Sequence, residues 1–137
     1  MRIYKLAAIA ATVALTACAT TAISTDKAKA AKVVFMQNLL VERPSTGKMT
    51  IKRDIGLAGA ACTTRIFLDA KPLAELDPGE VFVIYVPAGE YILGAATSGL
   101  CGGGDAESQA VVRVNESKTY RVSLDQGMSV RIGVTAQ

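Results

Sequence analysis

Apolar residues recur at every second position along much of this chain, a period that belongs to half-buried β-strands and not to helices. Tyr120, Val122 and Leu124 alternate with Arg121 and Ser123, and Met128, Val130, Ile132 and Val134 alternate with Ser129, Arg131 and Gly133. Between them, Asp125-Gln126-Gly127 suits a short hairpin with glycine at the left-handed position. Residues 49–55 alternate less cleanly, with Lys52 and Asp54 facing away from Ile51 and Arg53. Residues 81–86 are a continuous apolar run and predict a central strand buried on both faces. Asp77-Pro78-Gly79-Glu80 before it suits a type II turn, proline fixing φ at the second position and glycine taking positive φ at the third. Residues 91–96 follow as the expected hairpin partner. Residues 63–68 and 111–114 add two strands. Residues 33–41 fit strand or helix and are taken as strand.

Seven or eight short strands with frequent turn signals are the pattern of an all-β sandwich or barrel. One connection is long: residues 97–107 include Gly99, Gly102, Gly103 and Gly104. A glycine-rich loop that cradles phosphate needs a helix N-terminus or a lysine after it. Here Ser108-Gln109-Ala110-Val111-Val112 reads as strand, so the loop is a linker.

The other strong signal is at the N-terminus. Arg2 and Lys5 are followed by no charged residue until Asp26. Residues 6–14 have the character of a secretory apolar region behind a basic start. The segment ends in Leu15-Thr16-Ala17-Cys18, which resembles the lipobox of bacterial lipoproteins. That resemblance implies a diacylglycerol on the Cys18 sulfur, cleavage before Cys18 and acylation of the new amino terminus. Two alternatives stay open. Residues 6–25 are long enough to span a bilayer uncleaved, although eight of them are alanine and five threonine. Ordinary signal cleavage would also fit Ala17-Cys18-Ala19. Several acyl chains on Cys18 would hold a soluble domain stably on a membrane without a spanning helix. The next residue is Ala19 and not aspartate, which in the enteric sorting rule favours the outer membrane.

The expected organisation is a lipoprotein signal peptide over residues 1–17, a lipidated flexible tether over 18–32 and a β-sandwich domain over 33–137. The tether is rich in Ala, Thr, Ser and Lys, with room for a short helix over 26–32 capped by Ser24 or Thr25. Losing Arg2 and Lys5 with the signal peptide leaves 13 basic against 12 acidic side chains. Electrostatics then selects no partner, and no basic stripe points to nucleic acid. Of three cysteines, Cys62 and Cys101 remain beyond the anchor. In an oxidising envelope an even pair reads as a disulfide, with two separate buried thiols as the alternative.

Residues 52–57 through Cys62, then Phe67-Leu68-Asp69, Leu73-Ala74-Glu75-Leu76, Gly79-Glu80 and Val86-Pro87-Ala88-Gly89-Glu90-Tyr91, resemble an uncharacterised group of small proteobacterial lipoproteins near the DUF2846-type β-sandwich domains. The resemblance spans residues 48–125 and implies a sandwich in which a short hairpin precedes a strand ending in Pro-x-Gly. It brings no catalytic residue to carry over. One departure is the turn Asp69-Ala70-Lys71, where the family usually places glycine after the aspartate. The combined expectation is a single Ig-like/transthyretin-like β-sandwich of about seven strands behind a lipoprotein signal peptide and flexible tether.

With no histidine in the chain, the commonest general base and metal ligand is missing. Two thiolates fall short of a zinc site. No catalytic residue, cofactor or metal is expected. The functional expectation is a lipid-anchored, non-catalytic interaction or structural module on the periplasmic face of the outer membrane, with the membrane and an envelope protein as partners. A component of a secretion or pilus assembly is one alternative. A small periplasmic hydrolase is another, using a Ser-Lys pair or paired carboxylates such as Asp69, Asp77 and Glu80, although these carboxylates also favour turns for conformational reasons. An exposed strand edge or the 97–107 loop is the expected binding surface. The run Lys52-Arg53-Asp54 is taken as a solvated strand face.

Overall fold

Strand after strand buries alternate residues, and the two sets of buried residues face each other. The computed structural model describes residues 20–98, 101–102 and 104–136. It is an all-β sandwich of two five-stranded sheets. The strands are β1 Lys29–Ala30, β2 Val33–Val34, β3 Thr46–Arg53, β4 Thr64–Leu68, β5 Lys71–Leu76, β6 Glu80–Pro87, β7 Gly89–Thr97, β8 Asp105–Val112, β9 Ser117–Leu124 and β10 Val130–Thr135. One sheet runs β1-β6-β3-β9-β10 and the other β2-β5-β4-β7-β8. Met49, Ile51, Phe82, Ile84, Val86, Tyr120 and Val122 from the first meet Ile66, Leu73, Leu76, Leu93, Ala95 and Ala110 from the second in one core.

Eight strands of five to nine residues and two of two residues exceed the expected seven or eight. The additions are those with no clean period. β5 carries Pro72, which has no N–H for the ladder, and the β4–β5 register shifts between Ile66 and Phe67, where Pro72 pairs. β1 and β2 are too short to show a pattern. Residues 33–41, taken as strand, are β2 followed by a 3-10 turn at Gln37–Leu39.

The Pro78-Gly79 turn forms as expected, with Gly79 at φ 79 and the Glu80 N–H donating to the Asp77 carbonyl at 3.1 Å. Three expectations are corrected. β6 is not buried on both faces: it lies next to the edge, Phe82, Ile84 and Val86 face the core, and Val81, Val83 and Tyr85 are half-buried. β7 is not its hairpin partner. Pro87-Ala88-Gly89 turns the chain into the opposite sheet, where β7 pairs with β4 and β8. In the β9–β10 hairpin the left-handed residue is Met128, φ 66, and not Gly127. The Asp125 carboxylate and carbonyl accept from the N–H groups of Ser129 and Met128 and define that turn.

Candidate functional site

The central strand is the charged one. β3 lies between β6 and β9, and Lys52, Arg53 and Asp54 are 0%, 1% and 1% exposed. The solvated-face expectation is therefore overturned. Alternation sends these residues to both faces of the sheet, and each face covers its share by a different device.

On the outer face, Lys52 stands opposite Arg121 of the parallel neighbour β9, a juxtaposition of like charges that needs an anion. Asp54 supplies it. The Arg121 Nη2 lies 2.6 Å from Asp54 Oδ2 and Nε lies 2.8 Å from Oδ1, a two-pronged pair on a carboxylate with no exposed side-chain surface. The carboxylate raises the Arg121 pKa above its ordinary value, chiefly through that hydrogen bond and against the effect of burial. Thr20 Oγ1 donates to the same carboxylate at 3.0 Å. The Lys52 ammonium donates to the Ile23 carbonyl at 2.8 Å. The lid over these charges is thus the N-terminal segment.

That segment was expected to be a flexible tether. Its described part, residues 20–32, is instead bonded along the sandwich. Thr21 and Ile55 exchange backbone hydrogen bonds, and the Lys29 and Ala31 N–H groups donate to the Gly79 and Val81 carbonyls. β1 thereby closes the edge of one sheet beside β6, and β2 closes the edge of the other beside β5. One continuous segment straps both sheets along the same side. The short helix over 26–32 is replaced by a turn, in which Lys27 and Ala28 donate to the Ser24 carbonyl, and by β1. Lys32, between β1 and β2, adds an ion pair to Asp77 at 2.8 Å.

On the inner face, Arg53 continues the row of Met49 and Ile51 to the end of the core. Its guanidinium donates to the carbonyls of Gly59 and Leu76 at 2.7 and 2.8 Å, and to that of Cys62. Burial pulls its pKa below the ordinary guanidinium value, opposed by the charges of Asp77 and Glu80. Arginine keeps its charge in such a setting because its intrinsic basicity is so high. One side chain thus ties β3 to β5 of the other sheet and to the β3–β4 loop. Cys62 ends that loop and is bonded to Cys101, with a Cα–Cα distance of 5.9 Å. Cys101 holds the β7–β8 connection, which is shorter than expected because β7 runs to Thr97 and β8 starts at Asp105.

Asp77 and Glu80 come together on Lys32, 2.8 and 3.4 Å from its Nζ, while Asp69 lies apart from them. Asp69 belongs to the β4–β5 turn, where its carboxylate accepts from the Ile92 N–H. Asp77 accepts from Thr63 and Lys32, and Glu80 accepts from the Asp77 N–H at 2.9 Å. All three serve turns and the strap. Among the described residues no group of three or more Cys, Asp or Glu is placed to hold a metal. An apolar groove of about 400 Å³ lies between the strap and the outer face of β6, lined by Ala28, Ala31, Leu40, Val81 and Val83. Cys18 lies outside the described residues. The buried charges were the feature the sequence reasoning missed. The available signal was three consecutive charges in a strand, which must fall on both of its faces.

No known protein-family model matches the chain. No curated protein matches it significantly. Among solved structures, an NMR structure of a protein from Eubacterium rectale is similar, with a TM-score of 0.44 and 10% identity over 68% of this chain and 91% of that one.

Proposed function

We propose that the chain is a lipid-anchored cell-envelope protein, acylated at Cys18 and held on the periplasmic face of the outer membrane, whose sandwich is a non-catalytic interaction or structural module. The observation that carries this reading is the segment Leu15-Thr16-Ala17-Cys18 behind a basic start and an uncharged run, two residues before Thr20, the first described residue, which bonds to the sandwich. Three features support it. The Cys62–Cys101 disulfide suits an oxidising compartment. The carboxylates weighed as catalytic serve turns and the strap. Ala19 follows the anchor cysteine. The partner in this reading is the membrane, through the lipid, together with an envelope protein reached from the domain's free surface.

Labelled palmitate and membrane fractionation of the full chain and its Cys18→Ser variant, in a Gram-negative host, test the anchor. The full chain is expected to take up label and stay with the outer membrane, and the variant to lose both. Equal behaviour of the two would overturn the reading.

A further inference from the structure

The loop joining β3 to β4 reads Ile55-Gly56-Leu57-Ala58-Gly59-Ala60-Ala61, seven residues with no polar side chain. Surface loops face water and are normally rich in polar residues. Here Leu57 is 94% exposed and Ile55 43%, and Ala60 and Ala61 also face solvent. The loop is held in shape nonetheless. Arg53 binds the Gly59 and Cys62 carbonyls, the Cys62 N–H donates to the Gly59 carbonyl at 2.9 Å, and the disulfide fixes its far end.

The described part of the strap starts at the root of this loop. Thr21 pairs with Ile55, and the Thr20 hydroxyl accepts from the Leu124 N–H at 3.4 Å. Gly59 lies against the Leu124 side chain, where a Cβ would meet Cδ2 at 2.5 Å. Cys18 precedes Thr20 by two residues, which even fully extended span only about 7 Å. A lipid on Cys18 therefore leaves no slack between the bilayer and this end of the sandwich.

We propose that the β3–β4 loop is a second membrane contact: Leu57 and Ile55 enter the interface between headgroups and acyl chains beside the lipid on Cys18. The inference rests on the reading of Cys18 as acylated. A lipid alone sets position and leaves orientation free, whereas a lipid and a rigid apolar loop together set both. The Asp69-Ala70 turn and the Pro87-Ala88-Gly89 corner, at the opposite ends of their strands, then point away from the membrane and form the surface open to a partner. A bilayer is the occupant that matches a patch so close to the anchor, since any macromolecule seated there would have to displace lipid.

The chain contains no tryptophan, so a single introduced indole reports its own surroundings. The test uses full-length Leu57→Trp and, as the distal probe, Ile92→Trp, whose site is 44% exposed near the Asp69 turn. Each is purified from membranes, its acylation read by intact mass, and reconstituted into phosphatidylethanolamine–phosphatidylglycerol vesicles with lipids brominated at defined depths. The expected result is an acylated chain in which the Leu57→Trp indole is quenched at a depth of about 5–10 Å and the Ile92→Trp indole is not. An acylated chain with neither indole quenched, or with both quenched alike, overturns the second contact and leaves the anchor standing. A chain with no acyl mass overturns both.

Discussion

The carboxylate of Asp54 and the guanidinium of Arg121 meet at 2.6 Å across the parallel β3–β9 pair, the aspartate fully enclosed and the arginine side chain 38% exposed. Their loss should be unequal. Arg121→Met strands a buried anion with only Thr20 as a side-chain donor. A fully buried broken pair costs about 3–5 kcal/mol, and because water reaches Arg121 we expect about 2–3 kcal/mol. Asp54→Asn removes the anion between Lys52 and Arg121 but leaves an arginine that water can solvate and an amide that still accepts, and should cost less, about 1–2 kcal/mol. Urea unfolding of both variants checks the order. Equal losses would mean that the pair is solvated in the native protein.

Arg53 serves the two sheets at once, so lysine cannot replace it. Arg53→Lys brings one ammonium in place of a guanidinium that reaches three carbonyls, and Arg53→Met removes that donor from all three, Gly59 keeping the Cys62 N–H. We expect each to cost about 3 kcal/mol, with lysine giving little rescue. Faster hydrogen exchange of the Ala60 and Cys62 amides, relative to β9 amides, would report loosening of the β3–β4 loop.

The turn between β4 and β5 holds Asp69 and Ala70 both at positive φ, 48 and 61. Two-residue hairpins favour that geometry because its twist matches the strands, but alanine pays for it in crowding of its Cβ. Ala70→Gly should therefore stabilise the domain by about 0.5–1 kcal/mol, visible as a rise of several degrees in Tm. A fall in Tm would contradict this geometry.

Asp77 gives the strap an acid-sensitive tie. Its carboxyl is held below the ordinary 3.8, first by the Lys32 hydrogen bond and then by Thr63, against the effect of burial. The tie contributes fully above pH 3.8 and is lost as pH falls through the lower value of the folded state. Since both side chains are largely in water, salt should weaken it. Asp77→Asn should flatten the acid limb of a Tm-against-pH curve, and an unchanged limb would assign acid sensitivity to other carboxylates.

The sandwich was legible where alternation was clean and both faces had their usual character, as in β9 and β10. The cysteine pair and the Pro78-Gly79 turn were legible for equally local reasons. What stayed hidden depended on contacts distant in sequence. Nothing near Lys52 announces that the Ile23 carbonyl will cover it, and nothing near Thr20 announces the Asp54 carboxylate 34 residues away. The strap looked like a tether because its own side chains bury little, and its order comes from backbone bonds to sheet edges. The alanines and glycines of residues 55–61 carry no period, and only the folded chain places Leu57, 94% exposed, beside the Thr21–Ile55 bridge.

Acylation of Cys18 is tested most directly by the intact mass of the non-reduced, detergent-extracted product of the full-length gene. The expected species begins at Cys18, carries three acyl chains and is two hydrogens lighter than its free-thiol form, owing to the Cys62–Cys101 bond. A soluble species without acyl mass, beginning elsewhere, would contradict the anchor and with it the membrane-seated end of the sandwich.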